Sequence, residues 1–232
     1  MRPRLRWNGL VCLLFLFHSL TSMALGSTPQ ECFKFFRGTI TDYQCSDAKI
    51  VIPAMIDGIK VVAIGAKAFM GKHLISVSFP STIQKIEYQA FENNRLKSVT
   101  IPTEVSVIED NVFADNKLSH LNIPDHVIEI KSKAFQDNQL SVLSIPSGVS
   151  YIGVDAFQRN VLRKLIIPGS VKTIGVAAFR ENLLESVTLE EGIETIEWWA
   201  FSGNKLISVI IPRSVQSLSS DSFDEDVAVI RN

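Results

Sequence analysis

Phenylalanine recurs every 22 residues: Phe69, Phe91, Phe113, Phe135, Phe157, Phe179, Phe201 and Phe223 fall in one phase along the chain. A fixed period of that length points to a stack of like units, each burying its apolar face only against its neighbours. Other columns keep the phase. Ile64, Ile86, Ile108, Ile130, Ile152, Ile174 and Ile196 lie five positions before the Phe column, and Leu218 closes the series. Val61, Ile83, Val105, Val127, Val149, Val171, Ile193 and Val215 come three positions earlier again. A Leu column runs from Leu74 to Leu206, and Asn94, Asn116, Asn138, Asn160, Asn182 and Asn204 each stand two residues before one of its members. Pro80, Pro102, Pro124, Pro146, Pro168 and Pro212 share a further phase, broken by Glu190.

The unit reads L-x-x-[VL]-x-[IFL]-P-x-x-[VI]-x-x-I-x-x-x-A-F-x-x-N-x. Within it, Leu96, Val99 and Ile101 have the spacing of a strand, with Val99 and Ile101 on one face. Pro102 follows at the strand end, where its missing N–H is expected to cost no ladder bond and its ring keeps Ile101 extended. Val105 to Ile108 is rich in β-branched residues and predicts a second short strand. The Ala-Phe pair, as in Ala90-Phe91, predicts a tight turn or single-turn helix that drops Phe into the core. At the corner that follows, Asn tolerates the left-handed conformation and can bond neighbouring backbone, which predicts an Asn ladder. The fold class is therefore a β-rich solenoid of about eight 22-residue coils, with parallel strands and short turns or single-turn helices.

Two stretches fall outside the repeat. Arg2, Arg4 and Arg6 precede an apolar run from Leu10 to Leu20, which marks residues 1–26 as a secretory signal cleaved after Gly26, with Ala24 at the −3 position. His18, Ser19, Thr21 and Ser22 interrupt the run too early for a membrane span. Export puts Cys32 and Cys45, 13 positions apart, in an oxidising compartment, so one disulfide is expected; two unpaired thiols are the alternative. They belong to an N-terminal cap over residues 27–52, with turn chemistry at Arg37-Gly38 between apolar runs, and the solenoid occupies residues 53–232. At the far end the columns decay to Ala228 and Arg231, an open edge suited to association with another copy.

Written as I-P-x-x-V-x-x-I-x-x-x-A-F-x-x-N, the repeat resembles the BspA-like leucine-rich repeat family, a bacterial surface class with treponemal and protozoan members. The resemblance covers about Ile50 to Phe223. The longer first coil is similar to the family's opening repeat, with Asp57-Gly58 at the turn of a five-residue insertion. Departures are Glu190 for Pro, Val112 for Ala, and Gly after the Ile column only at Gly65, Gly153 and Gly175. The resemblance implies a leucine-rich repeat array on a secreted, periplasmic or outer-surface protein. It also implies adhesion to a protein partner such as a host matrix or cell-surface component, with no residue motif for the ligand.

Two surfaces are candidates for binding. Positions three and five of each LxxVxI strand face outward and place His120, Asn122, Val142, Ser144, Lys164, Ile166, Thr188 and Ile210 on one mildly polar face, suited to an extended protein. Such Ser- and Thr-rich columns also suit a sheet that is merely solvated. Before Ala-Phe, Val154, Val176 and the pair Trp198-Trp199 line up in an apolar stripe, with Tyr88 farther along. The stripe fits a partner or homo-oligomer interface, or Trp rings folded over their neighbours. A self-assembling envelope component is the alternative function.

Other function classes find little support. Lys and Arg number 23 against 24 Asp and Glu, and the leader removes three Arg, so no basic footprint for nucleic acid exists. His73, His120 and His126 have no carboxylate or Cys at catalytic or metal-ligating spacing. Neither a G-x-S-x-G elbow nor a Gly-rich phosphate loop occurs. A non-enzymatic protein without cofactor, metal or membrane span after cleavage is expected.

Overall fold

The computed structural model describes residues 26–231; the predicted signal segment, apart from Gly26, lies outside the described residues. The molecule is a parallel β-solenoid of about nine turns of roughly 22 residues. The Phe count alone suggests eight, and the cap supplies the extra rung. Strands Phe33–Phe36 and Thr39–Tyr43 form an antiparallel hairpin across Arg37-Gly38, both left-handed at φ 46° and 86°. The second of these strands runs parallel to Ala63–Ile64, with Ile40 opposite Ile64, and Tyr43 stacks on Phe69 at 5.6 Å. Cys32 and Cys45 are bonded. The Asp57-Gly58 insertion is a second hairpin, joining Met55–Ile56 to Ile59–Lys60 with φ of 48° and 74° at its tip.

Phe rings form the spine of the core. From Phe69 to Phe223 each ring stacks on the next with centroids 4.9–5.9 Å apart, because successive coils repeat one backbone path. The Ile column lies beside it, also buried.

The two sides of each coil are built differently. Along the Ile column, Val107–Ile108, Glu129–Ile130, Tyr151–Ile152, Thr173–Ile174, Thr195–Ile196 and Ser217–Leu218 pair successively into one parallel sheet. The LxxVxI side is divided into separate pairs: Lys49–Val51 with Ser76–Ser78, Ser98–Thr100 with His120–Asn122, Lys164–Ile167 with Ser186–Leu189, and Ser208–Ile211 with Ala228–Arg231. Residues 140–145 form no strand. Proline explains part of the division and corrects the expectation that it removes no ladder bond. Glu190, the one replacement in the Pro column, donates its N–H to Ile167 O at 3.1 Å, and the pairing beneath it runs four residues. Where Pro80 and Pro124 occupy that position, the pairing stops at three. The other four-residue pairing ends at Arg231, which Asn rather than Pro follows in sequence.

The Ala-Phe segments are turns; the short 3-10 piece Gln30–Cys32 is the helical element among the described residues. The residue before each Ala-Phe (Val-Phe in one coil) is left-handed: Lys67, Gln89, Asn111, Lys133, Asp155, Ala177 and Trp199 have φ of 53–60°. A left-handed residue interrupts a right-handed helix, and the backbone donors here point to the next coil instead, as Gln89 N–H to Asp110 O and Phe91 N–H to Val112 O, each 2.9 Å. Close stacking also requires glycine at one turn. A Cβ on Gly169 would lie 1.8 Å from Glu191 O, and Gly192 (φ 117°) faces Gly169 O at 2.3 Å in the same sense.

Candidate functional site

The Asn column is the hydrogen-bonded corner between the Phe turn and the LxxVxI strand. Its left-handed residue is the one before each Asn, such as Asn93, Asp115 and Asp137 at φ 54–55°, and not the Asn itself. Asn138 shows the pattern. Its Oδ1 accepts from Leu118 N–H at 2.9 Å, and its Nδ2 donates to Phe113 O at 3.0 Å and to Phe135 O at 3.2 Å. Asn94, Asn116, Asn160, Asn182 and Asn204 repeat these bonds at 2.7–3.2 Å. Each side chain thus bridges two coils, and its polar atoms are committed to backbone. Phe91, Phe113, Phe135, Phe157, Phe179 and Phe201 are fully buried beside it.

The outward LxxVxI positions are exposed throughout, including His120, Asn122, Ser144, Lys164 and Thr188. Val142, Ile166 and Ile210 stand out among them at 75%, 59% and 54% exposure. Ile210 and Ile230 face each other across the last pairing, so the face is most apolar toward the C-terminal coils. A further exposed residue, Ile207, is 81% accessible. Its column is otherwise Ile75, Lys97, Ser119, Ser141, Arg163 and Glu185, so the lone Ile among later polar residues was a readable signal that the outward-position rule passed over.

The Val-Trp stripe resolves into two adjacent columns. Val154 and Val176 are half-buried and share the column of Trp198, which is 58% exposed. Trp199, 44% exposed, belongs to the neighbouring left-handed column with Ala177 and Asp155. Trp199 also walls a groove of about 490 Å³ against the last coil, floored by Phe223, Val227 and Val229 and edged by Asp221, Asp224 and Glu225. These acidic neighbours lay outside the apolar stripe sought in sequence.

A second groove, about 540 Å³, crosses the Asn corners and carries both signs of charge, with Arg95 and Lys117 beside Asp115, Asp137 and Arg159. Arg159 spans coils to Asp137 with two bonds of 2.6 Å, which raises the Arg159 pKa. Burial pushes the Asp115 carboxyl up, and the charge of Asp137 adds to that shift. Burial likewise raises Asp155. The groove floor is the Asn ladder, whose polar atoms are already used, so its chemistry is confined to the charged walls.

Among the described residues no group of His, Cys, Asp and Glu is arranged to hold a metal ion, and no helix is long and apolar enough to cross a membrane. His120 Nδ1 lies 2.9 Å from Ser119 Oγ, and His126 Nε2 lies 3.1 Å from Val105 O.

The chain is 26% identical to the Treponema pallidum leucine-rich repeat protein, covering 88% of this chain and 86% of that one at a TM-score of 0.51. It is also 26% identical to a leucine-rich cell surface protein of Faecalibacterium prausnitzii, with a TM-score of 0.55, covering 84% of this chain and 50% of that one, so it spans half that protein's length. A leucine-rich repeat protein of Bacteroides ovatus, 20% identical, shares the fold at a TM-score of 0.62 over 86% of this chain and 65% of that one. No curated protein matches. The profile of the BspA type leucine-rich repeat region matches residues 62–183 and 106–229, in six copies. With its Phe spine, Asn corners and paired strands all set by that repeat, the chain belongs to the BspA-type leucine-rich repeat family.

Proposed function

We propose that this is an exported, non-enzymatic leucine-rich repeat protein that binds a protein partner, in adhesion to host matrix or cell-surface components. The observation that carries the reading is the exposed face on which Val142, Ile166 and Ile210 stand among small polar residues across successive coils. A flat, weakly charged surface with a few apolar anchors suits an extended protein better than a polyanion. The cell-surface relative supports an external setting, and the disulfide supports an oxidising one. The test is binding of the exported protein to an array of matrix proteins and intact cells. Ile166→Ser with Ile210→Ser is expected to weaken capture about tenfold or more without shifting thermal unfolding; undiminished capture would remove this face from the reading.

A second reading, self-assembly of an envelope component, is favoured by Trp198, Trp199 and Ile207 standing exposed near the last coils. Sedimentation of the protein separates the two: a concentration-dependent oligomer lost in Trp198→Ser with Trp199→Ser supports assembly, and a monomer that captures matrix protein supports adhesion.

A further inference from the structure

The Trp199 groove combines three features that one kind of ligand satisfies together. Its lining joins the Trp199 indole and an apolar floor patch from Phe223, Val227 and Val229 to the carboxylates of Asp221, Asp224 and Glu225, with Ser202 and Ser220 completing a mainly polar surface. No Lys or Arg lines it. None of these carboxylates is within ion-pair distance of a Lys or Arg among the described residues. Asp224 is held in place: its oxygens accept from Ser202 Oγ at 2.8 Å and from Gly203 and Asn204 N–H at 2.9 and 3.2 Å. Asp221 accepts from Ser220 Oγ at 2.8 Å, and Glu225 is exposed.

We propose that this groove receives a lysine or arginine side chain of a protein partner, with its methylene stem on the apolar floor, its cationic head at the carboxylate rim and the face of Trp199 alongside. The physics excludes the opposite charge, since an anion would meet three carboxylates with no cation to offset them. An uncharged apolar residue would fill the floor and leave the rim unmatched. A long cationic side chain satisfies both, because its stem is apolar and its head is charged, and the indole adds a cation–π attraction. The size, about 490 Å³, lies in the ordinary range of ligand grooves, roughly 300–1,000 Å³. The inference rests on the protein-binding reading and adds the chemistry of the contact.

The test uses the exported protein, residues 27–232, which lacks Trp7, so that Trp198 and Trp199 are its indoles and tryptophan emission reports on this region alone. The probes are Gly-Ser peptides bearing alternate lysines, norleucines or glutamates. The lysine peptide is expected to shift the emission saturably, to bind more weakly in about 1 M salt, where charges are screened beyond roughly 3 Å, and to outbind the norleucine and glutamate peptides about tenfold. With a labelled lysine peptide, Trp199→Leu should weaken binding about tenfold. Glu225→Gln with Asp221→Asn, which changes only exposed side chains, should do the same even if the Trp variant folds poorly. Equal binding of lysine and norleucine peptides, or lysine binding indifferent to the rim substitutions, overturns the proposal. Matrix-protein capture measured in parallel keeps the two readings apart. Capture without lysine binding ends this inference alone; lysine binding without any protein captured ends the adhesion reading and leaves the groove.

Discussion

The two sides of each coil share one 22-residue period and are held together by different means. Along the Ile column, two-residue strands join backbone to backbone through six successive coils. Along the LxxVxI side, backbone pairing is intermittent, and residues 140–145 take no part in it. What ties the coils there is the Asn corner, a side chain that takes one backbone donor and two backbone acceptors from adjacent coils. Proline limits the ladder on that side, whereas the Ile strands are followed by a turn whose left-handed residue directs its N–H to the next coil. A repeat therefore needs long runs of backbone bonding on only one side, and even the Ile side breaks once, between Lys85–Ile86 and Val107–Ile108. The other side is free to carry varied outward residues, provided its corners are pinned.

The comparison breaks most visibly if a corner is removed where no strand backs it. Asn138→Ala leaves Leu118 N–H without its acceptor and takes from the Phe113 and Phe135 carbonyls one of two Asn donors each, Asn116 and Asn160 remaining, beside the strandless residues 140–145. The expected loss is about 3–5 kcal/mol in chemical denaturation, since the one buried donor left unmatched costs roughly 1–3 kcal/mol and each of the two other lost bonds about 1 kcal/mol. Asn182→Ala removes the same set of bonds next to the four-residue pairing Lys164–Ile167 with Ser186–Leu189, and should lose about 2–3 kcal/mol. Equal losses would mean that strand pairing contributes nothing to holding these corners. Next in size is Gly169→Val, whose Cβ would lie 1.8 Å from Glu191 O, so the turn beyond Pro168 must shift. About 2–3 kcal/mol is expected, read as a lower unfolding midpoint.

How much of this was legible in the residues depends on which force set each feature. The Phe, Ile and Leu columns were readable because apolar burial acts on side-chain identity, and identity repeats. The Asn ladder was readable as a ladder, yet its geometry was not. Left-handed φ falls on Gly71, Asn93, Asp115, Asp137 and Gly203 in one column, types that tolerate it and so an available signal, although Arg159 and Glu181 share the column. In the other column only Asn111 and Asp155 are such types; Lys67, Gln89, Lys133, Ala177 and Trp199 carry no signal in their residue type, and inter-coil bonding decides. The division of the LxxVxI sheet depends on coil-to-coil spacing, a property of the stack that no single repeat encodes. Of the candidate surfaces, exposure of the outward positions followed from strand alternation. The carboxylates beside Trp199 did not, because Asp221 and Glu225 come from the next coil around.

Glu190 offers a sharper and smaller test of why the two sides differ. Glu190→Pro restores the repeat's own consensus and removes the N–H that bonds Ile167 O at 3.1 Å. A loss of about 1 kcal/mol is expected, with faster hydrogen exchange at the Lys164–Ile167 and Ser186–Leu189 pairing and at Gly169, whose N–H loses the Glu190 carboxylate. The reverse change, Pro124→Glu, should extend the pairing of Ser98–Thr100 with His120–Asn122 by one protected amide. If neither exchange pattern moves, proline is not what trims the ladder.

The smallest effect concerns charge at the corner. Asp115 is the left-handed residue before Asn116, and its carboxyl pKa is raised by burial and then by Asp137. A carboxylate with a raised folded-state pKa is harder to ionise in the fold than in the unfolded chain, so it destabilises once it is charged. The penalty is present above the folded-state pKa and vanishes below the unfolded value, about 3.9 for Asp. Asp115→Asn is therefore expected to raise stability slightly at neutral pH and to make no difference near about pH 3. Solvent screens an exposed group of this kind, and the gain should stay within a few tenths of a kcal/mol. A gain that persists unchanged in acid would mean that the corner responds to amide hydrogen bonding at position 115 rather than to charge, and the electrostatic part of the difference between the two sides would be withdrawn.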